Sequence, residues 1–179
     1  MARDAAVQNG VAAEQDFLAS VILGEGLPEE AERLLHAAAL SYEHEEVALR
    51  YLMEARLLAP THPATLIGLY RFFFYKGRLE ECLSVAETCL TRAAIDNALP
   101  LDWRDVAPDD AAFGDFDAVL PRFFMFSLKG YAYLNMRLGD YDASAQAIDK
   151  LLQLDPADKI GAKVLLGVLE RRGQDEDVD

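Results

Sequence analysis

Cysteine, histidine and positive charge are all scarce in this chain, and each shortage excludes something. Two cysteines occur among 179 residues, Cys82 and Cys89, seven positions apart in what reads as one helix. At about 1.5 Å of rise per residue their Cα atoms stand roughly 10 Å apart, beyond the ~7 Å that a disulfide spans. They read as small core residues on one helical face. The three histidines, His36, His44 and His62, include no two at the four-residue spacing that puts metal ligands on one helical face. No metal and no other cofactor is expected. Lysine plus arginine number 17 against 31 acidic residues, a net charge of −14. Phosphate backbones and anionic membrane surfaces would be repelled, so nucleic acid is excluded as a partner.

Long apolar runs are missing as well. The stretch Leu66–Tyr75 is broken by Arg71 and falls short of the roughly 20 residues that a membrane-spanning helix needs. Met1–Gly10 leads into no apolar secretory core, so the expectation is a cytoplasmic protein that does not engage membranes. No glycine-rich phosphate cradle follows a predicted strand, and no serine or cysteine stands in a nucleophile context. The aspartates at 102, 105, 109, 110, 115 and 117 fall as adjacent or widely separated pairs, without the alternating ligands of a calcium loop. No catalytic residue is nominated, and a non-enzyme is expected.

Glycine and proline are sparse and sit where helices should end, at Gly24, Gly26, Pro28, Pro60, Pro63, Gly77, Pro100, Pro108, Gly139, Pro156 and Gly173. Between them run segments rich in Ala, Leu, Glu and Arg with apolar residues recurring at three and four, which predicts successive amphipathic helices in an all-α fold. A chain that is 52% hydrophobic can bury one real core, and its length favours one domain, placed at residues 12–173. Residues 1–11 and the acidic tail 174–179 bury too little to offset chain entropy and are expected to be disordered. Ala12–Leu23, with Phe17, Leu18, Val21 and Ile22 on one face, predicts a short helix on the first repeat.

The segment Gly139–Pro156, GDYDASAQAIDKLLQLDP, has a glycine and aromatic turn, small residues facing a partner helix, a bulky residue four further on and a closing proline. It resembles the second half of a tetratricopeptide repeat. A shift of 34 residues matches Leu35 to Leu69, Ala48 to Cys82, Leu52 to Ala86 and Ala55 to Cys89. A further 62 residues bring Tyr131, Ser144, Ile148 and Leu151 to the same places, and pair Gly77 with Gly139. Repeats are thus expected at 29–62, 63–96 and 125–158, an insertion at 97–124, and a capping helix at about 159–172. The pattern is incomplete: Glu43 replaces the turn glycine of the first repeat, Ala94 the proline of the second, and the first-helix tryptophan is missing throughout.

The resemblance implies a right-handed stack of antiparallel helix hairpins whose first helices line a concave groove for a partner. Carried over by position, it nominates Arg33, Ala37 and Leu40, then Ile67, Arg71, Phe74 and Tyr75, then Lys129, Tyr133, Met136 and Arg137. That set is aromatic and basic, which implies a protein or peptide ligand with apolar anchors and acidic flanks, and an adaptor role. The lysine and asparagine clamp by which some members hold a chaperone's carboxylate terminus lacks its asparagine, since Asn135 falls on the wrong face. The architecture is also similar to secretion chaperones that hold a hydrophobic client. A fixed accessory or regulatory subunit, or a homodimer through the segment 12–23, is the other alternative. In the insertion, Leu101, Trp103, Val106, Phe113, Phe116, Val119 and Leu120 are too apolar to be left in water. The insertion is expected to fold back and bury Trp103, over the groove or beside it.

Overall fold

The computed structural model describes residues 26–115 and 117–176, with side chains to 171. Both the disordered stretch expected at 1–11 and the helix expected at 12–23 lie outside the described residues, as does Phe116. Within them, acidic first turns open the first two helices, where negative charge complements the helix dipole: Glu29, Glu30 and Glu32 in α1 (Glu29–Leu40) and Glu45 and Glu46 in α2 (Glu45–Leu58). α3 (Pro63–Tyr75) starts on a proline, whose missing N–H costs nothing in a first turn. His62 caps it by accepting from the Ala64 N–H through Nδ1 at 3.2 Å, and the Thr65 hydroxyl donates back to the Ala59 carbonyl at 2.6 Å.

α4 (Leu79–Asp96) and a single 3-10 turn (Trp103–Asp105) precede α5 (Val119–Leu138), α6 (Tyr141–Leu154) and α7 (Ala162–Glu176). No strand occurs among the described residues. The fold is all-α, with consecutive antiparallel helices packed as hairpins α1–α2, α3–α4 and α5–α6, and with α7 closing the stack against α6 and α5. α2 packs on α3 and α4 on α5, so each hairpin rests on the next. Two turn glycines do what the spacing required of them. Gly77 and Gly139 have φ of +73° and +89°, a conformation that costs side-chain-bearing residues roughly 1–2 kcal/mol. Behind them the Arg78 N–H reaches the Phe73 carbonyl at 2.9 Å and the Asp140 N–H reaches that of Asn135 at 2.9 Å. The first hairpin, with Glu43 at this place, turns through Ser41–His44 with no positive φ there.

Three of the four matched sets are buried throughout, while in the fourth Leu69 is buried and Leu35 and Tyr131 are half-buried. Ala48, Cys82 and Ser144 are buried, as are Leu52, Ala86 and Ile148, and Ala55, Cys89 and Leu151. Two boundaries differ from expectation. α5 begins at Val119, well before residue 125, with Pro121 in its first turn, where no backbone donor is needed. α7 continues to Glu176, into the stretch expected to be a disordered tail. The insertion folds back as expected. Trp103 is buried with its ring 5.9 Å from that of Tyr131, and Phe113 packs 5.8 Å from Phe124. Lys150 donates to the Val106 carbonyl at 2.9 Å and Lys159 to that of Gly114 at 2.7 Å. The insertion is thus seated on the third hairpin and its cap.

Candidate functional site

Between α1 and α3 runs an open groove of about 480 Å³, within the size range of ligand clefts. Its floor is made of small residues, Ala38, Ala64 and Gly68, with Leu52 and Ile67, and Leu35 and Ala39 flank it on the α1 side. Gly68 keeps the helices this close: a Cβ there would lie 3.3 Å from a Leu35 methyl and 3.4 Å from one of Leu52. Glu32, His36 and Arg71 stand on the walls, and Tyr42, Phe72 and Tyr75 close one end. That end is braced. The Lys76 ammonium lies 4.2 Å from the Tyr42 ring centre and donates to the Tyr42 carbonyl at 3.1 Å, while Tyr42 meets Phe72 edge-on at 6.2 Å. Partial burial, then the neighbouring Tyr75 and Glu43, push the Tyr42 hydroxyl above the ordinary tyrosine value. Tyr75 itself is half exposed. Among the described residues of the insertion, 97–115 and 117–124, none lines this groove, so they do not plug it.

Of the residues nominated by position, Ile67, Arg71 and Tyr75 line the groove. Arg33, Ala37 and Leu40 do not. Arg33 pairs with Glu30 on the outside, Leu40 is 78% exposed and Ala37 is half-buried. The reason is geometric. A crevice between two side-by-side helices is walled by faces that point at each other, so the wall of α1 cannot use the same repeat positions as the wall of α3. Equivalent positions would share a face only on one common concave surface.

Phe74 of the second hairpin and the residues nominated in the third correct the expectation further. Phe74, Lys129, Tyr133 and Met136 are core residues. Phe74 stacks on Tyr70 at 5.9 Å and meets Tyr133 at 5.8 Å. Lys129 donates to the Ile160 carbonyl at 2.7 Å, and Arg137 to the Tyr133 hydroxyl at 2.7 Å. The expected basic surface is therefore dispersed, and Arg71 is the arginine on the groove wall. Sequence reasoning missed Glu32, Leu35, His36, Ala39, Tyr42 and Gly68. A signal for the last was present, since a glycine inside a helical run marks close approach of another element.

Cys82 and Cys89 are free thiols in the core, and burial pushes both up, Cys89 to about 12. Among the described residues no cluster of His, Cys, Asp or Glu could hold a metal ion, and no helix is long and apolar enough to cross a membrane.

The groove and the hairpin stack define a class, an all-helical protein of paired helices with an open cleft between two first helices. No family model and no solved structure matches the chain. It is 34% identical over 126 residues to an uncharacterized 19.8 kDa protein in the nifW 5′ region of Azotobacter chroococcum mcd 1, a match covering 70% of this chain and 71% of that protein. The chain belongs to the same family as that bacterial protein.

Proposed function

We propose that this protein is a tetratricopeptide-type adaptor, not an enzyme, which works in the cytoplasm by taking a segment of another protein into the groove between α1 and α3. The observation that carries this reading is the groove itself, whose small-residue floor leaves apolar surface open to solvent between two braced helices. Repeat character is supported by the burial of three of the four matched sets in all three hairpins, Leu35 and Tyr131 of the fourth being half-buried, and by positive φ at Gly77 and Gly139. The ligand is a segment with apolar anchors and an acidic neighbour. The anchors would fill the floor between Leu35 and Ile67, and the acid would approach Arg71, whose five donors can take a carboxylate beside any intramolecular contact. A chaperone holding a hydrophobic client would use the same surface.

A second reading, a fixed subunit of a larger assembly or a homodimer, is favoured by α2, where Leu57 is 81% exposed and Met53 and Leu58 are also exposed.

A photo-crosslinker at Ala39, which is exposed on the groove wall, separates the two readings in cell extract. The adaptor reading expects a captured protein whose yield falls at least about fivefold on Tyr75→Ala, the loss of one anchor of roughly 1–3 kcal/mol. Capture that ignores Tyr75→Ala and is lost on Leu57→Asp would overturn it in favour of the fixed subunit. The relative is described by its place 5′ of nifW, which makes the nifW product a natural first bait.

A further inference from the structure

We infer that the groove takes its partner segment as a short amphipathic helix lying antiparallel to α1 and α3; this rests on the groove being the binding site. The walls decide the form of the ligand's backbone. Every lining residue except Tyr42 belongs to α1, α2 or α3, and helices spend their interior N–H and C=O groups on themselves. The Tyr42 carbonyl is taken by Lys76. Among the described residues no asparagine, glutamine, serine or threonine lines the groove. Main-chain groups of an extended segment would therefore meet the floor without partners, which costs free energy. A helix brings its main chain already paired and asks of the floor only a place for apolar side chains. Ala38, Ala64 and Gly68 project least from that floor and leave space above them for bulky anchors.

Length and charge fix the rest. The lining runs from Glu32 to Ala39 on α1 and from Ala64 to Tyr75 on α3. These spans are about 10 Å and about 16 Å at the helical rise, room for roughly two to three turns of a ligand helix. α1 and α3 run the same way, because each is antiparallel to α2. Glu32 stands in the first turn of α1, whereas Arg71 stands beside Phe72 at the end closed by Tyr42 and Tyr75. The groove is thus acidic at one end and basic at the other. A helix is steadied by an acid in its own first turn and a base in its last. Such a helix matches both ends when its first turn lies by Arg71 and its last by Glu32, and its dipole then opposes those of α1 and α3.

The test uses the full chain and three fluorescent synthetic peptides of one composition, alanine and glutamine around three leucines, one aspartate and one lysine. The first has leucines at i, i+4 and i+7, aspartate in its first turn and lysine in its last. The second spaces the leucines at i, i+2 and i+4, one face of a strand. The third is the first with aspartate and lysine exchanged. By anisotropy the first is expected to bind at least about tenfold tighter than the second and at least about threefold tighter than the third. Arg71→Gln should erase the preference over the third, and Ala39→Trp, with helix content unchanged, should abolish binding. A benzoylphenylalanine beside the aspartate should cross-link near Tyr75, and one beside the lysine near Ala64. Equal or tighter binding of the strand-patterned peptide would overturn the inference. So would no binding at millimolar concentration, binding indifferent to both substitutions, or cross-links in the reverse order. Partner capture through Ala39 is scored separately. If capture remains sensitive to Tyr75→Ala while the peptides fail, the helical ligand is wrong and the groove as partner site stands.

Discussion

Lys129 and Asp155 hold the two polar backbone groups of one residue, Ile160. The Lys129 ammonium donates to the Ile160 carbonyl at 2.7 Å, and Asp155 Oδ2 accepts the Ile160 N–H at 2.9 Å. Both side chains are buried, and Ile160 sits in the loop that delivers α7. Lys129→Met keeps the stem but removes the donor, so a loss of about 1–3 kcal/mol is expected. The loss should show as faster amide exchange in α7 before any change in α1–α2, measured by native-state hydrogen exchange. Uniform acceleration across all helices would contradict a local latch.

Gly130 makes room for Tyr70. A Cβ at this position would stand 2.9 Å from the Tyr70 hydroxyl oxygen and 3.4 Å from its ring carbon. Gly130→Ala should therefore destabilise by about 1–2 kcal/mol even though alanine favours helix. Tyr70→Phe in the same chain removes the offending atom and should recover most of the loss. A double-mutant cycle in urea that gives simple additivity would argue against this close approach.

Alkaline pH should unfold the protein through its thiols. Cys89 is pushed up by burial from the ordinary 9.0 to about 12, and Cys82 is raised for the same reason. A thiol raised in the fold keeps its proton when the unfolded chain has lost it. Its contribution is thus complete below about pH 9 and fades as pH climbs from there toward about 12. Urea midpoints at pH 7, 9 and 10.5 should fall with pH more steeply for the wild type than for Cys82→Ala/Cys89→Ala. Parallel curves would disprove a cysteine origin.

Trp103 reports on the insertion alone, because the chain has one tryptophan. It is 7% exposed, against Tyr131 and under the Arg104 guanidinium at 4.3 Å. Its emission should be blue-shifted and resist iodide quenching. Trp103→Ala should cost about 3 kcal/mol if the insertion folds with the body. Water-like, freely quenched emission would mean that the loop is open.

The fold was legible because its determinants are local and periodic. Helix ends were marked by Gly77, Gly139 and Pro63, and the interior was marked by the 34-residue recurrence that links Ala48 to Cys82 and Ala55 to Cys89. The insertion's return was legible from Trp103 and Phe113, too apolar to be left in water. The groove was only half legible. Ile67, Arg71 and Tyr75 were found, but Arg33, Ala37 and Leu40 were placed on a wall that Glu32, Leu35, His36 and Ala39 supply. Periodicity tells which residues of a helix share a face, and not which neighbour that face will meet. Lys129 shows the same limit. Its charge suggested solvent, yet a carbonyl thirty-one residues along the chain let its ammonium be buried.

α4 and α5 lie along one another although the chain leaves the stack between them, wandering from residue 97 to 118 before it returns. The joint between the second and third hairpins is therefore a matter of surface fit and owes nothing to covalent order. A polypeptide cut between Asp109 and Asp110, both exposed, would leave two pieces with every helix intact and the shared face still matched. Such pieces should find each other as a noncovalent pair, weaker by the entropy of meeting and by the exposed Ala107–Asp110 turn that the cut interrupts. The linear order of these hairpins is one of several that would build the same object, and the loop at 97–118 marks the place where that order is free to change.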